Sequence, residues 1–281
     1  MHLPVKRGLP VSIAEAEKIG LIIDMMEGHS IPEDVFSILK DLKSVVALTG
    51  AGISVESGIP DFRSPGGLWD TFDPAVYASI QTFLSDPRRS WKLFRAVDEI
   101  LRGKRPNPAH YALADLEQAG ILEAVITQNI DGLHQEAGTD RVIEVHGNHR
   151  FLECLRCGLR VPVDDPPIEP GRVPRCEECG FPLKPSVVLF GEAVRHVDEA
   201  NEAVLSCEAL FVIGTSAQVY PVASLPASVK EKGGLVFEFN LNETCLTGMV
   251  TDCLFRGRAG RSLPFIRDFM ISGQRHSSEQ E

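Results

Sequence analysis

The sequence predicts an α/β protein built on an open parallel sheet, with a small cysteine-bearing module inserted into the alternation of strands and helices. Three observations predict it. Apolar, β-branched runs such as Val45-Val46-Ala47-Leu48 and Leu122 to Thr127 end directly in glycine- or amide-rich turns, the pattern of parallel strands at their carboxyl ends. Between them lie segments with apolar residues at helical spacing. Four of the seven cysteines fall in two C-x-x-C pairs flanking a proline-rich stretch.

At 281 residues the chain has room for one large α/β domain with a small insert. Its 43% hydrophobic and 24% charged content is that of a globular protein. Apolar stretches stay far below the ~20 residues of a membrane span, and no signal-peptide core opens the chain, so a cytoplasmic protein without membrane contact is expected. The net charge of −11, with no block of Lys or Arg, disfavours direct nucleic-acid binding and suits basic peptides better.

In chain order, Ser12 to Glu27 has Ile13, Ala16, Ile19, Ile22, Ile23 and Met26 at helical spacing, which predicts a helix. Glu15, Glu17, Asp24 and Glu27 argue against a mitochondrial presequence. A second helix, Pro32 to Lys43, leads into the first strand. Ser90 to Arg102 is helical, with Trp91, Phe94, Val97 and Leu101 apolar, and Asn107-Pro108 reads as an N-cap and first position of another helix. Strands follow at Leu122 to Thr127 and Val142 to Val145. After the insert come a helix to about Cys207, strands Ala209 to Ile213 and Leu235 to Phe239, and a last helix.

The turn after the first strand, Thr49-Gly50-Ala51-Gly52-Ile53-Ser54, lets backbone N–H groups approach a pyrophosphate. The third glycine of the dinucleotide fingerprint falls on Val55, which weakens a dehydrogenase reading. Gly58-Ile59-Pro60-Asp61-Phe62-Arg63 then sets an acid, an aromatic and a guanidinium side by side on a loop. Gln128-Asn129-Ile130-Asp131 follows the second strand at the same sheet edge. His146-Gly147 follows the third and makes His146 a candidate general base. Gly214-Thr215-Ser216 is a further phosphate-suited turn, and Asn240-Leu241-Asn242 carries amides able to bond ribose hydroxyls.

Cys154-x-x-Cys157 and Cys176-x-x-Cys179 lie 18 residues apart. That spacing closes a tetrahedral zinc site, and a full shell of four thiolates makes the metal structural. The prolines between the pairs predict irregular turns. Cys207, Cys245 and Cys253 are expected to be buried, inert thiols.

Taken together, these motifs, with Phe190-Gly191-Glu192, resemble the sirtuin family of NAD-dependent protein deacylases over roughly residues 35–270. The resemblance implies a Rossmann-like, doubly wound NAD-binding domain (44–149 and 185–275), a zinc-ribbon insert (150–184) and an N-terminal helical extension (1–43) packed on the core. It places Gly50, Ala51, Gly52, Gly214, Thr215 and Ser216 on the pyrophosphate. Asn240, with Asn242, falls at the adenosine ribose, and Gln128 near the other ribose. Asn129, Ile130 and Asp131 fall at the nicotinamide, with Ser54 close by. Asp61, Phe62 and Arg63 belong to a loop that orders over NAD. His146 becomes the general base and Asn129 a second catalytic residue.

An acyl-lysine peptide would lie as a strand between Phe190-Gly191-Glu192 and Val219-Tyr220, with the Val188 carbonyl accepting the acyl-lysine N–H. The implied reaction is acyl transfer. The acyl oxygen attacks the anomeric carbon as nicotinamide leaves, His146 helps deprotonate a ribose hydroxyl that attacks the imidate, and water completes release of free lysine and O-acyl-ADP-ribose. Phe94 and Val97 stand where branches acting on acidic acyl groups carry a tyrosine and an arginine, so neutral acyl groups, acetyl first, are expected. Ala217 replaces a common leucine beside the peptide groove. Mono-ADP-ribosyl transfer and a non-catalytic NAD-sensing module are the alternatives. The presence of His146, Asn129, Asp131 and the Phe190 loop favours deacylation.

Overall fold

The computed structural model describes residues 21–25, 31–61, 67–163 and 171–278. In order, its elements are β1 (Leu21–Asp24), α1 (Glu33–Asp41), β2 (Val45–Thr49), a 3₁₀ segment (Ala51–Ser57), α2 (Leu68–Thr71), α3 (Pro74–Tyr77), α4 (Ile80–Ser85), α5 (Pro87–Leu101), α6 (Pro108–Gln118), β3 (Leu122–Thr127), α7 (Leu133–Glu136), β4 (Val142–Glu144), β5 (Gly147–Cys154), β6 (Arg160–Pro162), β7 (Leu183–Val187), α8 (Val197–Ser206), β8 (Ala209–Ile213), α9 (Leu225–Glu231), β9 (Leu235–Asn240), β10 (Cys253–Arg256) and α10 (Ala259–Ser278).

Seven strands form a parallel sheet in the order β1-β10-β9-β8-β2-β3-β4. From β2 the chain moves outward through β3 and β4. It then crosses to β8 on the other side of β2 and moves outward through β9 and β10. The reversal falls between β2 and β8, where an open α/β sheet forms its ligand crevice.

The strand sequences read as continuous apolar runs because both faces of the sheet are covered. Alternate residues point to opposite faces. Val45 and Ala47 share one core with Phe211 and Ile213, Leu113 and Leu116 of α6, and Leu263 and Ile266 of α10. Val46 and Leu48 face the other, with Leu210, Val212, Val204 of α8 and Val229 of α9.

A third core joins Phe83, Trp91 and Phe94 of α4 and α5 to Leu152, Cys154, Cys176 and Leu183. Trp91 Nε1 donates to the Leu183 carbonyl at 2.9 Å. The small antiparallel sheet, β6-β5-β7, runs from Gly147 to Val187. It therefore reaches beyond the 150–184 insert at both ends, and the helices between 68 and 101 pack with it.

The helix expected over Ser12 to Glu27 is corrected where the structure describes it. Leu21–Asp24 is an edge strand parallel to β10, with Ile23 buried and an Asp24–Arg256 ion pair of 2.6 Å. Leu21-Ile22-Ile23 suits either period. The open edge of β10 offers backbone partners that a helix would leave unused. Residues 12–20 and 26–27 of that expectation lie outside the described residues.

The Asn107 cap is present: its side chain accepts from the Ala109 N–H at 2.9 Å, and His110 Nδ1 accepts from the Asn107 N–H at 3.3 Å. His110 and His134 are both buried, their ring centroids 4.9 Å apart. Burial lowers the His110 pKa to about 4; burial, then the neighbouring His110, takes His134 well below 6.5. The unfolded chain therefore binds more protons than the native one below pH 6.5, and stability must fall as pH drops through that range. At pH 5, His110 alone accounts for about 2 kcal/mol. Urea midpoints at pH 7 and pH 5 should differ accordingly, and a pH-independent midpoint would contradict two neutral buried rings.

Candidate functional site

The carboxyl ends of the central strands open into one cleft of about 650 Å³. It brings together Gly50, Ala51 and Gly52 after β2, Gln128, Asn129 and Ile130 after β3, His146 after β4, and Gly214, Thr215 and Ser216 after β8. Asn240 and Asn242 line its far end, at and just beyond the end of β9. Asp61, Val188, Phe190, Gly191 and Glu192, with Val219 and Tyr220, line the rest. Ser54 and Asp131 stand one layer back, around a cavity of about 30 Å³ shared with Ala51, Asn129 and Ile130. Phe62 and Arg63 lie outside the described residues.

The glycines have a packing role that the sequence motif does not reveal. Gly52 N–H donates to the Gly214 carbonyl at 2.8 Å. A Cβ on Gly52 would stand 2.6 Å from Gly214 Cα, and one on Gly50 2.7 Å from Thr215 Cβ. Gly214 itself has φ +57°, left-handed backbone that favours glycine. The turns after β2 and β8 thus close on each other at the reversal point and leave a cradle lined by backbone, as a bound pyrophosphate requires. Gln128 Nε2 bonds Thr215 Oγ1 at 2.9 Å and Asn240 Nδ2 bonds the Thr215 carbonyl at 3.1 Å, tying the β3 and β9 ends to this cradle.

Asn129 is buried and oriented by bonds from Nδ2 to the Gly50 carbonyl (3.1 Å) and Ser54 Oγ (3.2 Å). Ser54 Oγ donates to Asp131 at 2.7 Å, and the Leu133 N–H donates to the same carboxylate at 3.0 Å. Burial nevertheless raises the Asp131 pKa. His146 Nδ1 donates to the Gln128 carbonyl at 3.0 Å, which fixes the tautomer with the Nε2 lone pair free. Burial lowers its pKa below 6.5 against that bond, so the ring is neutral at physiological pH.

The four Sγ atoms of Cys154, Cys157, Cys176 and Cys179 lie within 4.8 Å of one another, with separations of 3.5 Å (154–179), 3.4 Å (157–176) and 3.8 Å (157–179). A tetrahedron with Zn–S bonds near 2.3 Å has edges of about 3.8 Å, so the cluster fits zinc. Cys154 and Cys176 are also part of the third core. Stripping the metal with a chelator is therefore expected to loosen Trp91 and to lower Tm by about 10 °C or more, as loss of ~4 kcal/mol does in a domain of this size. Tryptophan fluorescence and a thermal scan measure it, and an unchanged Tm would refute a structural metal. Cys207 and Cys253 are buried as expected; Cys245 is exposed, contrary to the expectation, because it follows the β9 turn rather than a strand.

Val188 N–H donates to the His146 carbonyl at 2.8 Å, and Phe190 exchanges backbone bonds with Ala78 (2.9 Å) and Ile80 (3.0 Å). Phe190 and Tyr220 remain 52% and 75% exposed, an apolar rim open to a partner segment. Sequence reasoning missed two residues here. Lys184 is fully buried and pairs Glu153 (2.8 Å) with Glu192 (3.1 Å); its only sequence signal is a lysine in an apolar strand. His149 lines the cleft three residues beyond His146.

Four similarities to known proteins bear on this geometry. The NAD-dependent protein deacylase of Pyrococcus abyssi is 42% identical over 238 residues, 82% of this chain and 94% of that protein. A solved complex of a Sir2 homologue with NAD superposes with a TM-score of 0.81 at 40% identity, covering 87% of this chain and 96% of that one. A Sir2–p53 peptide–NAD+ structure gives 0.76 at 35% identity over 87% and 99%. A profile described as the Sir2 family matches residues 50–221, a stretch that holds the cradle, His146 and the four cysteines. Agreement in sequence and fold on this scale makes the chain a member of the Sir2 family.

Proposed function

We propose that this protein is an NAD-dependent protein-lysine deacylase that transfers the acyl group to ADP-ribose and releases nicotinamide. The observation that carries the reading is the neutral His146 ring. It lines the cleft with Nδ1 held by the Gln128 carbonyl and Nε2 available as a base, beside the glycine cradle and the oriented Asn129 amide.

The cradle of Gly50, Ala51, Gly52, Gly214, Thr215 and Ser216 fits a dinucleotide, because glycines let the two turns close on each other at the carboxyl ends of β2 and β8, where the cleft opens. NAD bound there supplies an electrophilic anomeric carbon and the ADP-ribose that accepts the acyl group. Asn240 and Asn242 bond ribose hydroxyls, and Asn129, Ile130 and Gln128 hold the nicotinamide end. Asp131 acts through Ser54 and the backbone to shape that end. Asp61 lines the same cleft. His146 takes a proton from a ribose hydroxyl at Nε2.

The acyl-lysine segment adds as a strand between the Phe190-Gly191-Glu192 and Val219-Tyr220 segments. The α5 wall offers Leu93, Phe94 and Val97, which cannot pair an acyl carboxylate, so neutral acyl groups are the substrates, acetyl first. The Cys154/Cys157/Cys176/Cys179 zinc holds the small sheet that carries Val187 and Val188 to the cleft. None of the seven cysteines is in a disulfide, which suits a reducing, cytoplasmic setting. No helix among the described residues is long and apolar enough to cross a membrane.

The test is mass spectrometry of an acetyl-lysine peptide incubated with the protein, with and without NAD. NAD-dependent loss of acetyl with formation of O-acetyl-ADP-ribose is expected. An intact peptide across a panel of neutral acyl groups would refute the reading, and ADP-ribosylated protein in its place would establish the transferase alternative.

A further inference from the structure

A fully buried glutamate stands behind the Asn240 end of the cleft. Glu238 lies on β9, in register with Leu254 of β10 and Val212 of β8. Alternation along the strand turns it to the same face as Val236, into the core shared with Leu210 and Val212, while Phe237 and Phe239 face the opposite core. A carboxylate is costly there unless its lone pairs are filled. Three threonines of the following loop fill them: Thr244 Oγ1 donates to Oε1 at 2.6 Å, and the Thr247 and Thr251 hydroxyls donate to Oε2 at 2.6 and 2.8 Å.

The carboxylate offers no proton, so each hydroxyl commits its single proton to it and keeps its lone pairs for other donors. Two of them use a lone pair on the loop itself: the Leu246 N–H donates to Thr244 Oγ1 at 3.0 Å and the Thr244 N–H to Thr247 Oγ1 at 3.1 Å. One side chain thereby orders the backbone from 244 to 251, and Leu246, buried in the same core as Val236, anchors it. The stretch that leads into this loop forms the cleft wall: Asn240, Leu241, Asn242, Glu243 and Thr244 line it. Cys245 Sγ lies 3.5 Å from the Ser216 carbonyl, so the loop also touches the turn after β8.

Building on the deacylase reading, in which Asn240 and Asn242 bond the adenosine ribose, we propose that Glu238 is a positioning residue for the nucleotide: through Thr244, Thr247 and Thr251 it holds the segment after β9 in the shape that binds the ADP-ribose half of NAD, without touching NAD itself. Its hydrogen bonds among the described residues reach none of Asn129, His146 or Val188 at the reacting end. Loss of Glu238 therefore weakens nucleotide binding and leaves the acyl-transfer step intact.

The experiment measures the Kd of ADP-ribose by titration calorimetry, together with kcat and the KM values for NAD and acetyl-lysine peptide, in the wild type, Glu238→Leu, Glu238→Gln and Val236→Ala. Glu238→Leu should raise the ADP-ribose Kd and the NAD KM about tenfold or more, with peptide KM and kcat at saturating NAD within about twofold of the wild type. Glu238→Gln, which keeps one acceptor oxygen, should fall between. Val236→Ala opens a cavity on the same strand and face, and should lower the urea midpoint without moving the ADP-ribose Kd. An unchanged ADP-ribose Kd in Glu238→Leu, or an equal rise in Val236→Ala, overturns the inference while deacylation stands. If Glu238→Leu does not fold, Thr247→Val, which removes one of the three bonds, decides by the same Kd: a rise of about threefold supports the inference and no change overturns it. Wild-type protein that binds ADP-ribose but deacylates no peptide with NAD overturns the deacylase reading alone, and wild-type protein that binds no ADP-ribose overturns both.

Discussion

Replacement of His146 by alanine is expected to lower kcat for deacylation by about 10²–10⁴-fold, with nicotinamide-containing ligand still bound. Among the described residues the ring makes one hydrogen bond, Nδ1 to the Gln128 carbonyl at 3.0 Å, so its removal leaves the cradle contacts of Gly52, Gln128 and Asn240 in place. What is lost is the Nε2 base. The pH profile separates this from a packing defect. Because burial lowers the folded pKa below 6.5, the base form prevails above that pKa, and wild-type kcat should be flat at neutral pH and fall as pH drops through it. The residual rate of His146→Ala should lack this limb. A variant with the same acid limb as the wild type would remove His146 from the role.

Lys184→Met should cost about 3–5 kcal/mol, the penalty for breaking a buried ion pair from one side. Lys184 Nζ lies between Glu153 and Glu192 and also donates to the Val187 carbonyl at 2.6 Å. Arg195 still pairs Glu153 at 2.7 Å in the variant, but the remaining described donor to Glu192 is the Leu189 N–H at 2.8 Å. The damage therefore falls on 189–192, the segment proposed to hold the peptide, and KM for peptide should rise along with the loss of stability.

Burial raises the Glu153 pKa, yet Lys184, Arg195 and Ser186 outweigh it and hold the group below its ordinary value. A carboxylate with a depressed pKa stabilises the fold above its unfolded pKa and ceases to do so as pH falls through the folded one. The gap between wild type and Lys184→Met should accordingly be widest at neutral pH and narrow in acid. Equal urea midpoints at pH 7 would show that the buried triad contributes nothing.

The sequence by itself determined five strands of the main sheet (β2, β3, β4, β8 and β9), their terminal turns and the four-cysteine cluster. Each of these is written in a few adjacent residues: Val45 to Gly52 is apolar then glycine-rich, Val142 to Gly147 is a strand ending in a histidine, and Cys154-x-x-Cys157 pairs ligands through one short turn. Parallel strands with both faces covered are apolar throughout, and their carboxyl ends meet at one edge, so the convergence of Gly50, Asn129, His146, Gly214 and Asn240 followed from the alternation of elements.

Only the tertiary structure decided contacts made between distant segments. Leu21–Asp24 becomes a strand because β10, more than two hundred residues later, offers an unpaired edge. The helices between 68 and 101 join the cysteine module because Trp91 and Phe94 find Leu152 and Leu183 there. Gly50 and Gly52 are required as much by the approach of Gly214 as by any ligand. His149 carries no local signal and Lys184 no more than a lysine within a strand, since an imidazole buried beside the cleft and an ammonium between two glutamates are defined by what surrounds them. Local patterns of apolarity and turn chemistry depend on neighbours in sequence, whereas burial and pairing depend on neighbours in space.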